Sequence, residues 1–345
     1  MIDFRSDTVT RPTEAMLESM REASLGDDSR DGDETVRRLE ALAAERMGKA
    51  AAAFMPSGTM TNLVAVLTHT PRGGEVLLES GAHILNSELG GITSLAGAFY
   101  KAIPGTRGAM DVEKLSETIR APTRQNFGTA LVCMETTHNR AGGAVLPLEH
   151  MRSVRDLARD NGVPVHVDGA RIFNAAAALR TEARSIAQHA DSVCFCVSKG
   201  LSAPVGSLLC GSEEFIERAR AFRRMVGGNM RQAGPLAAAG IVALETMVER
   251  LAHDHRRAHT LATALAAAVP GSVDPATVQT NIVVFRLVER RGVPDAATFV
   301  ERCRERGVLL NAFGPRAVRA VTHLDVTAEE CRTAAKVMRA VADGR

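Results

Sequence analysis

Short apolar runs alternate along the chain with longer amphipathic stretches. EVLLES (75–80), GTALVCMET (128–136), VPVHVDGA (163–170) and ADSVCFCVS (190–198) are rich in β-branched residues and bounded by turn residues, which predicts strands. LEHMRSVRDLARDNG (148–162) spaces its apolar residues as a helix does, and so do Val36, Leu39, Leu42 and Ala43 after Glu34. The strand runs are apolar throughout rather than alternating. Both faces of their sheet should therefore be covered, as in a mainly parallel sheet between helical layers. The expected class is α/β.

Residues 1 to about 35 are polar and read as an extended arm and loop ahead of the first long helix. A second helix, from Met60 to about His69, is entered through PSGT (56–59). There Ser57, Gly58 and Thr59 offer hydroxyls and free backbone N–H groups at a helix N-terminus, a natural seat for an anion. A long helical stretch from Pro235 to Val269 leads into QTNIVVFRL, a helix through AATFVERCRERG, then VLLNAFG, AVRAVTHLDV and a terminal helix. This predicts a smaller α+β domain. The expected division is an N-terminal arm (1–25) packing with the small domain, a large domain (26–240) and a small C-terminal domain (241–345).

Composition narrows the function. Among 345 residues the formal net charge is only +2, and there is one Tyr and no Trp. There is no basic field, and most of the stacking platforms that nucleic-acid binders use are missing, so a small molecule is the expected ligand. No stretch is long and apolar enough to span a bilayer, and MIDFRSDTVTRP lacks the pattern of an export signal. The six cysteines show no CxxC spacing and several lie in apolar runs, as reduced core residues do. A cytoplasmic protein without a metal site is expected.

Lysine is scarce, and of the five only Lys199 follows a strand-like run. A lysine at that place either reaches out to solvent along its stem or serves as an amine nucleophile in Schiff-base chemistry. Asp168 ends another such run, with Arg171 just beyond it. An ionised carboxylate facing a pyridinium nitrogen makes pyridoxal phosphate an effective electron sink, and Arg171 is suited to a substrate carboxylate. The alternative is an Asp–Arg pair capping a strand end.

The segments DFRSDTVTRP, PSGTMTN, GAHILNSELGG, ETTHNRAGG, HVDGARIFN, VSKGL, MRQAG and VRAVTHLDV, in this order between residue 2 and about 326, resemble the low-specificity L-threonine aldolases. That family has the aspartate-aminotransferase-like fold of type I pyridoxal-phosphate enzymes. The resemblance implies that Lys199 carries the cofactor as a Schiff base, Asp168 meets its ring nitrogen, Ser57, Gly58 and Thr59 bind its phosphate, and His83 lies over its ring. It implies that Ser6, Arg171 and Arg319 bind the substrate carboxylate. His83 or His138, alone or through a water near Glu88, would take the β-hydroxyl proton, and Arg231 would lie near the cofactor. A homo-oligomer, a dimer or a tetramer, with sites at the subunit interface is also implied.

The chain departs from the family pattern at three places. Arg30 and Ser87 stand where family members carry aromatic residues near the substrate side chain, and Asn229 replaces a usual glycine. The expected reaction is retro-aldol cleavage of an L-3-hydroxy-α-amino acid to glycine and an aldehyde. Arg30 and Ser87 point to a polar or anionic β-substituent, and they leave open a related lyase, transaldolase or racemase. A pyridoxal-phosphate-binding protein without catalysis is the reading from another class.

Overall fold

Among the described residues seven strands form the central sheet, in the spatial order Ala51–Met55, Ser207–Gly211, Ser192–Cys196, Val165–Asp168, Thr129–Glu135, Glu75–Glu79, Phe99–Ile103. In this computed structural model, which describes residues 1–288 and 295–344, every neighbouring pair is parallel except those made by Ser207–Gly211, antiparallel to both neighbours. The three strands from Val165, Ser192 and Ser207 are buried at every residue. Helices cover both faces, as the unbroken apolar runs require. The α/β class is borne out.

The edge strands differ from the centre. Phe99–Ile103 is exposed at four of its five residues and carries Tyr100 and Lys101, so no apolar run announces it. Ala51–Met55 is mostly alanine, which favours helix in isolation and becomes a strand here because it lies against Ser207–Gly211.

The N-terminal segment is not wholly extended. Thr13 accepts a hydrogen bond from the Met16 amide and starts a helix at Glu14–Glu22, whose Met16 and Met20 pack into the large core. Ahead of it, Ile2–Asp3 pairs with Val308–Leu309 and Phe4 enters a second hydrophobic core, with Val283, Phe285 and Phe299. The helical stretch expected from Pro235 to Val269 is two helices, Gly234–Thr246 and Leu251–Ala268. The break lets the first helix lie in the large core while the second turns into the core built on Ile282–Arg286 and Ala317–Val321. Among the described residues, no helix is long and apolar enough to cross a membrane. All six cysteines are buried and unpaired.

Candidate active site

The carboxyl ends of the central strands converge on one cavity. Pairing aligns Glu135 with Asp168 and Asp168 with Cys194, and three residues beyond Cys196 the chain turns at Lys199. From the neighbouring edge, Ala51–Met55 runs into Ser57, which caps the helix Gly58–His69 through the Met60 amide. The cavity between them holds ≈ 210 Å³ and is lined by residues that include Ser57, Gly58, Thr59, His83, Asp168 and Lys199. A side chain at Gly58 would press within 2.9 Å of the Cys196 sulfur, so this floor admits only glycine without a shift.

Asp168 is 2 % exposed and accepts hydrogen bonds from Asn62 Nδ2 at 2.9 Å and the Ala170 amide at 3.1 Å. Burial raises its pKa, but the charges of His83 and Lys199 and the Asn62 bond outweigh this and hold it below the usual carboxylate value. Among the described residues no cation lies within ion-pair distance of it.

Lys199 is half-buried, and its carbonyl accepts the Thr10 hydroxyl at 2.9 Å, which fastens the N-terminal arm over the site. His83 donates its backbone N–H to Glu135 at 2.6 Å, and its Nδ1 lies 2.9 Å from Glu88. That bond raises the His83 pKa against the opposing effect of burial, while burial raises that of Glu88. One ligand atom each from His83, Glu88 and Asp168 lie within 4.8 Å of one another, already joined through Asn62.

Arg171 is committed to Asp7. Its Nε and Nη2 donate to the two carboxylate oxygens at 2.7 and 2.6 Å in a buried pair, which Asn281 also braces. Burial would raise the Asp7 pKa, but Arg171 holds it far below the usual range. Ser6 caps the short turn that presents Asp7. Arg319 has no acid of its own among the described residues: Nη1 donates to Asn139 at 2.8 Å, and the buried Nε has no partner. Burial and the nearby Arg171 both lower its pKa. Arg171, Arg319 and Asp7 together leave one positive charge unmatched, which suits a carboxylate.

The remaining sequence-predicted residues lie apart from this cavity. His138 is buried beside a separate groove, with Nε2 2.9 Å from Glu79 and Nδ1 accepting the Ala141 amide at 3.2 Å. Its link to the site is indirect, through Glu135. Arg231 bonds Asp27 and Ser29 on the loop that carries the exposed Arg30, and Ser87 is an exposed helix end.

Two residues that sequence reasoning left out of the candidate site are central. Asn62 bridges Glu88 and Asp168, and it lies one turn after Gly58 on the same helix face, a spacing that was there to be read. Asp7 had the signal only of a motif position, because its partner Arg171 is remote in sequence.

The sequence profile of the beta-eliminating lyase family matches residues 3–288. The low-specificity L-threonine aldolase of Escherichia coli (strain K12) is 43 % identical over 341 residues, covering 99 % of each chain. A solved threonine aldolase of Leishmania major superposes with TM-score 0.85 over 99 % of this chain and 100 % of its own, at 17 % identity. A structure of SPT with PLP superposes with TM-score 0.77 over 100 % of this chain and 88 % of its own, at 18 % identity.

Proposed function

The chain belongs to the beta-eliminating lyase family and, within it, to the low-specificity L-threonine aldolases, and from that premise we propose how its own residues serve the reaction. It is a pyridoxal-phosphate-dependent lyase that cleaves an L-3-hydroxy-α-amino acid of the threonine type to glycine and an aldehyde. The observation that carries the residue-level reading is Asp168, a buried, ionised carboxylate lining the cavity with no cation among the described residues hydrogen-bonded to it. Such a group fits a protonated ring nitrogen, and the glycine floor beside the capped helix N-terminus fits a phosphate. When bound, pyridoxal phosphate supplies an electron sink for the pair left at Cα as the Cα–Cβ bond breaks.

Lys199 would hold the cofactor's carbonyl carbon, Asp168 its ring nitrogen, and Ser57, Gly58 and Thr59 its phosphate, with His83 flanking the ring. Arg319, seated beside the Asp7–Arg171 pair and Ser6, takes the substrate carboxylate and so sets the rotation about the Cα–N bond. That rotation decides which Cα bond is broken. His83 takes the β-hydroxyl proton: it lines the cavity, and no described residue bonds its Nε2. Glu88 fixes the ring through Nδ1 and steadies the proton taken up. His138, with both ring nitrogens engaged elsewhere, supports Glu135 and thereby the His83 backbone. The proton removed from the hydroxyl balances the one glycine gains at Cα.

We also propose that the chain works as a homo-oligomer in the cytoplasm. Leu89, 98 % exposed beside Glu88, together with the exposed Leu25 and Leu95, supports a covering copy, and six free thiols suit a reducing compartment. A second copy would also be the means of bringing Arg30 or Ser87 to a substrate; Arg231 serves the Arg30 loop in this chain. Light scattering should give a mass above one chain, and a monomer at working concentration would refute this. An Arg30→Tyr variant with an unchanged preference between threonine and 3-hydroxyaspartate would remove Arg30 from substrate selection.

The test of the reaction is product analysis. Cofactor-loaded protein should release glycine and acetaldehyde in equal amounts from L-threonine, and Lys199→Ala should release neither. Cofactor binding without cleavage of any 3-hydroxy amino acid would overturn the reading.

A further inference from the structure

Beneath the cavity, four polar side chains stand in line between the helix Gly58–His69 and two adjacent strands. Asn62 and His69 are two helical turns apart and share a face. On the strands His166 and Asp168 pair with Ser192 and Cys194, and a period of two puts all four on one side of the sheet. His69 Nε2 lies 2.8 Å from Ser192 Oγ, Ser192 Oγ lies 2.8 Å from His166 Nδ1, and His166 Nε2 lies 3.1 Å from Asn62 Oδ1. Asn62 Nδ2 then reaches Asp168 at 2.9 Å and Glu88 at 2.8 Å.

Asn62 fixes the direction of every link. Its amide oxygen turned toward two carboxylates would repel both, so the NH₂ faces them and the oxygen faces His166 and the Cys194 thiol, 3.1 Å away. His166 must then carry its proton on Nε2, and its Nδ1 accepts from the Ser192 hydroxyl. Ser192 in turn accepts from His69 Nε2–H. Burial keeps both rings neutral, with the His166 pKa pushed down to about 4 and that of His69 to about 3.

We propose that His69, Ser192, His166 and Asn62 are positioning residues, a one-way chain of hydrogen-bond donors that holds Asp168 in place and ionised for the cofactor's ring nitrogen. The inference rests on the reading of Asp168 given above. Its reason is electrostatic. The charges on His83 and Lys199 also favour ionised Asp168, but both groups change protonation or bonding during the reaction. A cation bound to Asp168 would cancel the charge that the ring nitrogen needs. Neutral donors aligned in one direction favour the carboxylate without cancelling it.

Two measurements test this. In the cofactor-free native protein, ring ¹⁵N shifts at neutral pH should show His166 and His69 as neutral Nε2–H tautomers; a protonated or Nδ1–H His166 would overturn the chain. Affinities of native, Asn62→Ala and Ser192→Ala proteins should then be compared for pyridoxal phosphate and for its 1-deaza analogue, in which CH replaces the ring nitrogen. The chain requires a loss of about 30-fold or more in Asn62→Ala, and a several-fold loss in Ser192→Ala, for pyridoxal phosphate. The deaza analogue should lose less than about threefold in either. Equal losses for both ligands would make the residues merely structural and refute the proposal. Native protein that binds neither ligand would instead refute the cofactor reading beneath it.

Discussion

Replacing Arg319 with methionine removes the one guanidinium of the carboxylate cradle that has no acid of its own among the described residues. Substrate binding and stability should then move apart. A buried charge-assisted pair typically loses about 2–5 kcal/mol when one partner is truncated, and Arg319 is partly open to solvent, so about 2–3 kcal/mol is expected here. At about 1.4 kcal/mol per factor of ten, kcat/KM for L-threonine should fall roughly 30- to 150-fold. The unliganded protein should barely notice. Methionine gives up the bond to Asn139 and the contact with the Phe313 ring, whose centroid lies 5.2 Å from the guanidinium carbon, each worth about 1 kcal/mol. It also relieves the burial of a cation next to Arg171, so the net change in stability should stay within about 1 kcal/mol. Steady-state acetaldehyde release and urea unfolding of the cofactor-free protein measure the two quantities. A kcat/KM within threefold of native, or a loss of stability above about 3 kcal/mol, would refute the assignment.

Asp7→Ala strands the buried Arg171 and should cost about 3–5 kcal/mol in urea unfolding; because the folded pKa of Asp7 is depressed, the stability it contributes is present above the ordinary carboxylate pKa and lost as pH falls below it. Glu88→Gln replaces the carboxylate whose charge-assisted bond raises the His83 pKa with a neutral amide, so the acid limb of the pH–rate profile should move to lower pH, and an unmoved limb would exclude His83 as the base. His69, depressed to about 3 from 6.5, lends stability that is full above pH 6.5 and is lost as pH falls toward 3. His69→Gln should therefore flatten the acid-side stability curve by up to about 1.4 kcal/mol per pH unit, and an unchanged slope would show that His69 titrates normally.

Much of this was legible in the sequence for identifiable reasons. The strands ending at Glu135, Asp168 and Cys196 declared themselves because a sheet covered on both faces needs unbroken apolar runs. Ala51–Met55 did not, since alanine carries no strand signal and only its partner strand fixes it. The helix Glu14–Glu22 was hidden in a polar segment where only Met16 is fully buried. Lys199 and Asp168 stood out as charges at the ends of apolar strands. Asn62 offered only its spacing one turn after Gly58, because a buried amide on a helix face otherwise looks in sequence like an exposed one. The partner of Arg171 was out of reach as well: Asp7 comes to it by way of the N-terminal arm, a contact that tertiary packing alone supplies.

The central claim is that Lys199, opposite Asp168 in one cavity, carries the chemistry, and borohydride trapping tests it most directly. Cofactor-loaded protein is reduced, digested and mapped by mass spectrometry. A phosphopyridoxyl group on Lys199 and on none of the other four lysines is the predicted result, and a modification at another lysine, or at none, would contradict the account.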